Sequence, residues 1–202
     1  EEIRATVGSL DLIGQFVRQR LVCNFLREVG FLCCPIGEGR AEAVDGNALD
    51  TAIAQQLRNS IQRYTGLHLI ALGTMAPEAD HARLEKNGFP PLPPVALQRE
   101  IGTAGGYDIA RFTVVRVPPG TMAEGRIQYC IHHTPEFLWQ DRWIDHPNGA
   151  IGLASVIIVV ADLDEALARY ERFLGRKPER RADGTAVFRL DRGVAMLGGP
   201  DT

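Results

Sequence analysis

The chain has 202 residues, of which 45% are hydrophobic and 23% charged, and its 22 basic and 25 acidic side chains leave a formal net charge of −3. A chain of this length buries a real core in one or two domains, and its composition excludes a disordered chain. The near balance of charge excludes the cationic footprint that nucleic acid or an anionic membrane surface would require, so a small-molecule ligand is the expected partner.

No apolar run reaches the length of a membrane span, and Glu1-Glu2 does not open a signal peptide, which makes the cytoplasm the expected compartment. The four cysteines, Cys23, Cys33, Cys34 and Cys130, include no Cys-x-x-Cys pair. They read as buried small hydrophobes in a reducing environment rather than as a metal or redox site.

In chain order, residues 3–7 form a weakly patterned strand. From Ser9 the period changes: Leu10, Ile13, Val17, Leu21, Phe25 and Val29 recur every three or four residues, the pattern of a helix capped by Ser9 and stopped at Gly30. Residues 31–36 then read as a strand, Gly37-Glu38-Gly39 as a turn and residues 40–44 as a second strand. A connector helix over residues 51–64 places Ile53, Leu57 and Ile61 on one face. Residues 1–64 thus make a shortened βαββ unit plus a connector.

Residues 65–149 give a fuller unit: strand 67–72, helix 77–87, then strands 95–101, 109–117 and 126–132, in the order β-α-β-β-β. Four prolines within residues 89–95 cannot donate ladder hydrogen bonds, which places that stretch at a sheet edge or outside a sheet. Residues 150–202 repeat the scheme with strand 154–160, an acidic turn, helix 164–174 and strands near 177–181, 185–190 and 194–197, as a C-terminally short copy. Both helices run into a glycine, Gly88 and Gly175, where a left-handed cap fits. The repetition predicts an α+β protein of repeated modules rather than one continuous sheet.

The segments Val159-Val160-Ala161-Asp162-Leu163-Asp164-Glu165-Ala166, Tyr170 and Phe173-Leu174-Gly175 look like the first strand, acidic turn and helix end of the vicinal oxygen chelate superfamily. Residues 66–149, with His132-His133-Thr134-Pro135-Glu136 and His146-Pro147-Asn148-Gly149, resemble its glyoxalase-like subgroup, and Phe25-Leu26-Arg27-Glu28-Val29-Gly30-Phe31 is a fainter echo of the same helix end. The resemblance implies βαβββ modules forming cupped mixed sheets with helices on the outer face, as in glyoxalases and bleomycin-resistance proteins. It also implies a divalent metal in the cup (manganese, iron, nickel or zinc) that polarises two neighbouring substrate oxygens, which is chemically reasonable where the ion keeps open coordination positions.

Carried onto this chain, the family's first-strand histidine falls on His68. On the last strand of the middle unit side chains alternate, so Gln128, Cys130 and His132 share one face while Ile127, Tyr129, Ile131 and His133 share the other. The second set is mostly apolar and suits packing under helices, which leaves His132 as the second candidate ligand and His133 behind it. The carboxylate has two candidates: Glu136, which follows Pro135 beyond the strand, and Glu42, which matches the last strand of a shortened first module. Glu42, His68 and His132 would make a two-histidine, one-carboxylate set, and Glu42 and Glu136 are the candidate proton carriers. Arg111 and Trp139 are the candidate substrate contacts, with Arg116 on the same strand a further possible carboxylate binder, although a solvated strand arginine and an interdomain tryptophan are the ordinary roles of such residues. The third unit departs from the pattern: Ser155 stands where His68 does, and the strand 194–197 carries no carboxylate or imidazole.

Three functions follow. The first is a metal-assisted lyase, isomerase or dioxygenase acting on a small metabolite with vicinal oxygens. The second is a metal-free protein that sequesters a small molecule in the same cup, and the third is a dimeric structural or regulatory module. Unpaired sheet edges predict a homodimer in each case.

Overall fold

The computed structural model describes residues 31–32, 59, 62, 69–144, 148–149 and 154–202. The expected helix over residues 9–30, the strand over 40–44, most of the connector helix, His68 and Glu42 lie outside the described residues. The elements, in order, are β1 (Phe31–Leu32), β2 (Leu69–Gly73), α1 (Pro77–Lys86), β3 (Val95–Thr103), β4 (Gly106–Arg116), β5 (Arg126–His132), a 3-10 turn (Pro135–Phe137), α2 (Asp141–Ile144), β6 (Ser155–Val159), α3 (Leu163–Leu174), β7 (Glu179–Arg180), β8 (Ala186–Arg189) and β9 (Val194–Gly198).

These elements build two sheets with one topology. The first has the order β1-β2-β5-β4-β3 and the second β6-β9-β8-β7. In each, the first strand of the unit lies parallel to its last strand (β2 with β5, β6 with β9), and the remaining pairings of the unit are antiparallel. Both are therefore complete βαβββ units, and what is short in the C-terminal one is the strands. Its β7 has two residues where the matching β3 has nine.

Local chemistry sets the helix limits. Pro77 opens α1 at the position where its missing N–H costs nothing. Asp162 caps α3 by accepting from the Glu165 amide at 3.0 Å, and Gly175 ends it with φ of 66°. At Gly175 the left-handed backbone coincides with a close approach, since a Cβ there would meet Arg83 Cδ at 3.1 Å. Gly88 also takes positive φ, so both glycine caps read from the chain are present. The proline-rich stretch makes one ladder-like bond, from the Leu92 amide to the Arg116 carbonyl at 2.8 Å, at the outer side of the sheet.

The two units share one core on the helix side of both sheets, containing Leu84, Val115, Ile127 and Tyr129 from one and Ile158, Tyr170, Phe173 and Phe188 from the other. Phe173 is its hinge point: its ring meets Phe89 edge-on at 5.2 Å and lies near-parallel to Tyr129 at 5.7 Å. Its carbonyl, one of those left without an intrahelical donor at the end of α3, accepts from Arg83 Nη1 at 2.5 Å and Tyr129 Oη at 3.1 Å. Burial pushes the Tyr129 hydroxyl up to about 12, so it stays a neutral donor. A second link is ionic. Arg169 grips Glu124 with both Nη atoms, at 2.9 and 2.8 Å, and holds Glu165 one turn back, while Tyr170 Oη donates to Glu124 at 3.1 Å. The chain thereby fastens the loop before β5 to the helix of the following unit.

Candidate functional site

With the helix-side residues of β5 fixed in the shared core, strand alternation places Gln128, Cys130 and His132 on the opposite, concave face of the first sheet. The register aligns rows across that face. Arg116, Gln128 and Ala71 form one row, Val95, Val114 and Cys130 the next, and Leu97, Phe112 and His132 the third. Ala71, Val114 and Cys130 are buried together as a small second apolar cluster, so the face has an apolar middle between two polar ends.

His132 sits in an aromatic clamp. The Phe112 ring lies perpendicular to the imidazole at 5.0 Å and Trp139 lies nearly parallel to it at 6.0 Å. The segment after β5 folds back to put Trp139 there. The Trp139 amide donates to the Pro135 carbonyl at 2.9 Å, Gln140 Nε2 bridges the Phe137 and Gly102 carbonyls, and Arg142 also reaches Gly102 at 2.5 Å. The hairpin of β3 and β4 is thus tied to the loop that covers the histidine.

Burial, then the nearby charges of Arg99 and His133, lower the His132 pKa to about 4, so the imidazole is neutral at physiological pH. Its Nε2 is buried with no hydrogen-bond partner among the described residues. The same holds for Arg116 Nε and Gln128 Oε1, and all three lie on this face. Leaving such groups unpaired costs roughly 1–3 kcal/mol each, so they mark a surface built to meet something.

The structure therefore brings together His132 and Trp139 of the residues singled out in the sequence. Arg111 is not with them: it is exposed on the other face of β4, where its backbone bonds to Thr134 and His133. Two residues earlier in the chain's alternation than Thr113, it shares the side on which Thr113 Oγ1 meets His133 Nε2 at 2.8 Å. Glu136 is exposed in the 3-10 turn, without a hydrogen bond or ion pair among the described residues. Arg111 and Arg116, both possible carboxylate contacts from the sequence, are five residues apart on one strand and so face opposite ways. Gln128 lies on the same face as His132, as alternation along β5 predicts, though nothing in the sequence marks it for a role.

Of the expected metal ligands, His132 alone falls among the described residues. A neutral imidazole with an unpartnered, buried Nε2 suits a ligand nitrogen. Among the described residues no three of His, Cys, Asp and Glu gather as a metal site would need. A groove of about 700 Å³ lies elsewhere, between β6, the start of β5 and the Glu124, Glu165 and Arg169 cluster. There Glu124, Glu165, Arg169 and Tyr170 are bonded to one another, and none of the predicted site residues lines it.

Residues 38–174 match the model of the glyoxalase-like domain family, more than half of the chain, and the protein belongs to that family. Its fold is that of the vicinal oxygen chelate superfamily, and the structure extends the repeat through β7 to β9, beyond the matched residues. A crystal structure of a hypothetical protein from Staphylococcus aureus aligns with a TM-score of 0.55 at 11% identity, over 87% of this chain and 75% of that one, which is a likeness of fold. A glyoxalase family protein from Bacillus cereus aligns at 17% identity over 65% of this chain and 89% of that one, with a TM-score of 0.31. No curated protein sequence matches the chain. Among the described residues no helix is long and apolar enough to cross a membrane.

Proposed function

We propose that this glyoxalase-like protein is an enzyme acting on a small oxygenated metabolite held on the concave face of its first sheet, with His132 at the reacting end. The observation that carries the reading is the buried, unpartnered Nε2 of His132, held in place by Phe112 and Trp139. An imidazole fixed on both sides but left unbonded at one nitrogen is pre-organised for a ligand or an ion.

The proposed cofactor is a divalent metal held by His132 with His68 and Glu42. Such an ion would act as a Lewis acid on two neighbouring substrate oxygens, the chemistry shared by lyase, isomerase and dioxygenase outcomes, with the first two favoured by family membership. Within the chain itself, Trp139 and Phe112 exclude water from one side of the imidazole. Glu136, free of partners among the described residues one turn beyond β5, is the proposed proton carrier.

A second reading, a metal-free binding protein, is favoured by the charge of Arg99 acting on His132, which repels a cation and attracts an anion. In either case a homodimer is proposed, supported by the edge strand β6, where Ile157 and Val159 are each 64% exposed.

Metal content separates the two readings. Near-stoichiometric manganese, iron, nickel or zinc in protein purified without a metal-binding tag, lost in both His132→Ala and His68→Ala, supports the enzyme. Native protein that neither carries nor takes up any of these metals sinks the metal-assisted mechanism and leaves the binder.

A further inference from the structure

At the far end of the same face, Arg116 and Gln128 stand directly opposite each other on antiparallel β4 and β5, a placement that brings Cβ atoms to roughly 5 Å. Gln128 is only 5% exposed, yet its Oε1 has no donor, and the buried Nε of Arg116 has no acceptor. The two do not bond to each other. What would satisfy both must accept a hydrogen bond from the guanidinium and donate one to the amide oxygen. A bare carboxylate only accepts, so it answers Arg116 and leaves Gln128 unpaired. A carboxylate with a hydroxyl or N–H on the adjacent carbon answers both, and the flat edge of the guanidinium suits the carboxylate in particular.

We infer that Arg116 and Gln128 anchor the head of an acid that carries a hydroxyl or N–H donor beside its carboxylate. Four residues along β5 separate Gln128 from His132, about 13 Å at the rise of an extended strand, and the row between them is the apolar Val95, Val114 and Cys130. The ligand class is therefore an α-hydroxy or α-acylamino acid whose apolar body crosses that row towards His132. Arg116 and Gln128 are positioning residues. The inference rests on the proposed function only for what happens at the His132 end; the anchor itself stands on the two orphaned atoms.

Three matched probes test it: α-hydroxyhexanoate, hexanoate, which lacks the donor, and hexanol, which lacks the acid. Each is titrated into the full chain while the Nε–H resonance of Arg116 is followed by NMR, its assignment fixed by its loss in Arg116→Lys. The expected result is a shift of that resonance and binding of α-hydroxyhexanoate roughly tenfold or more tighter than either control, since each control leaves one buried polar group without its partner. Arg116→Lys and Gln128→Leu should each erase the preference, and His132→Ala should keep it. Equal binding of the three probes, an Arg116 resonance that does not move, or a preference that survives both variants would overturn the anchor and leave a single bridging water as the occupant. If the preference holds while the native protein takes up no metal, the anchor stands and the metal-assisted mechanism falls.

Discussion

The two sheets share strand order and the parallel pairing of first with last strand, yet their concave faces differ in kind. In the first sheet that face carries Arg116, Gln128 and His132 with buried polar atoms unpaired. In the second the corresponding strands present Ile157 and Val159 from β6 and Val194 and Met196 from β9. Ser155 opens β6 on that face, and β9 carries no imidazole or carboxylate. A repeated backbone thus does not imply a repeated site, since alternation fixes which residues face the cup and the residue types alone decide what the cup can do. The second unit contributes support instead, through Phe173, Arg169 and Tyr170.

That division of labour can be broken at the support first. Phe173→Ala removes a fully buried ring that touches both units, with an expected loss of about 3–5 kcal/mol in urea unfolding. If the units are one cooperative body, a single transition moves to lower denaturant. A variant in which the C-terminal sheet melts separately while the first sheet is unchanged would show that the shared core does not couple them.

Next in size is the contrast between the faces. His132→Ala should reduce turnover or metal affinity by at least roughly a hundredfold, within the range for groups that act directly on a reacting centre. His133→Ala, one residue on but behind the sheet, and Ile157→Ala, on the other concave face, should each stay within roughly twofold of the native protein. Equal losses for His132 and Ile157 would end the distinction.

Glu124→Gln should cost about 2 kcal/mol, as a charge-assisted bond to nearly buried Arg169 is weakened. The penalty should also depend on pH. Burial raises the Glu124 pKa, but hydrogen bonds from Arg169 and Tyr170 and the arginine's charge outweigh it and hold the carboxyl below its ordinary value of 4.5. A carboxylate depressed on folding contributes its stability above the unfolded-state value and loses it as pH falls through the folded one. Native and Glu124→Gln unfolding midpoints should therefore differ at neutral pH and converge in acid; a gap that stays constant would remove the ion pair from the stability of the unit junction. The exposed pair of Arg189 and Glu179, by contrast, is worth little at any pH.

The smallest expected effect has the opposite sign. Gln128→Leu replaces an unpaired buried acceptor by an apolar group of similar size, so without ligand it should leave stability unchanged or raise it by up to ~1 kcal/mol. A clear loss of stability on thermal melting would mean that the amide is already satisfied and that the first face is less unusual than its orphaned atoms suggest.

Much of this was legible in the chain. The periods of two and of three to four residues located β5 and, to within a few residues, α1, α3 and the strands around them, because apolar alternation and glycine caps are local signals. Alternation along β5 likewise predicts His132 on the face opposite the shared core. What the chain did not yield is long-range. The Arg169 and Glu124 clasp joins residues 45 apart with no pattern to announce it. The clamp of Trp139 on His132 depends on Gln140 and Arg142 catching Gly102 in another hairpin. Strand parity separates Arg111 from Arg116, but only the register of β4 against β5 sets Arg116 opposite Gln128.

The most direct test of where the chemistry lies compares native protein, His132→Ala and Ile157→Lys. Their thermal stabilisation by added manganese alone is measured. Stabilisation of the native protein that is abolished by His132→Ala and retained by Ile157→Lys is the expected result. Stabilisation that persists in His132→Ala and disappears in Ile157→Lys would move the site to the second sheet and contradict the assignment.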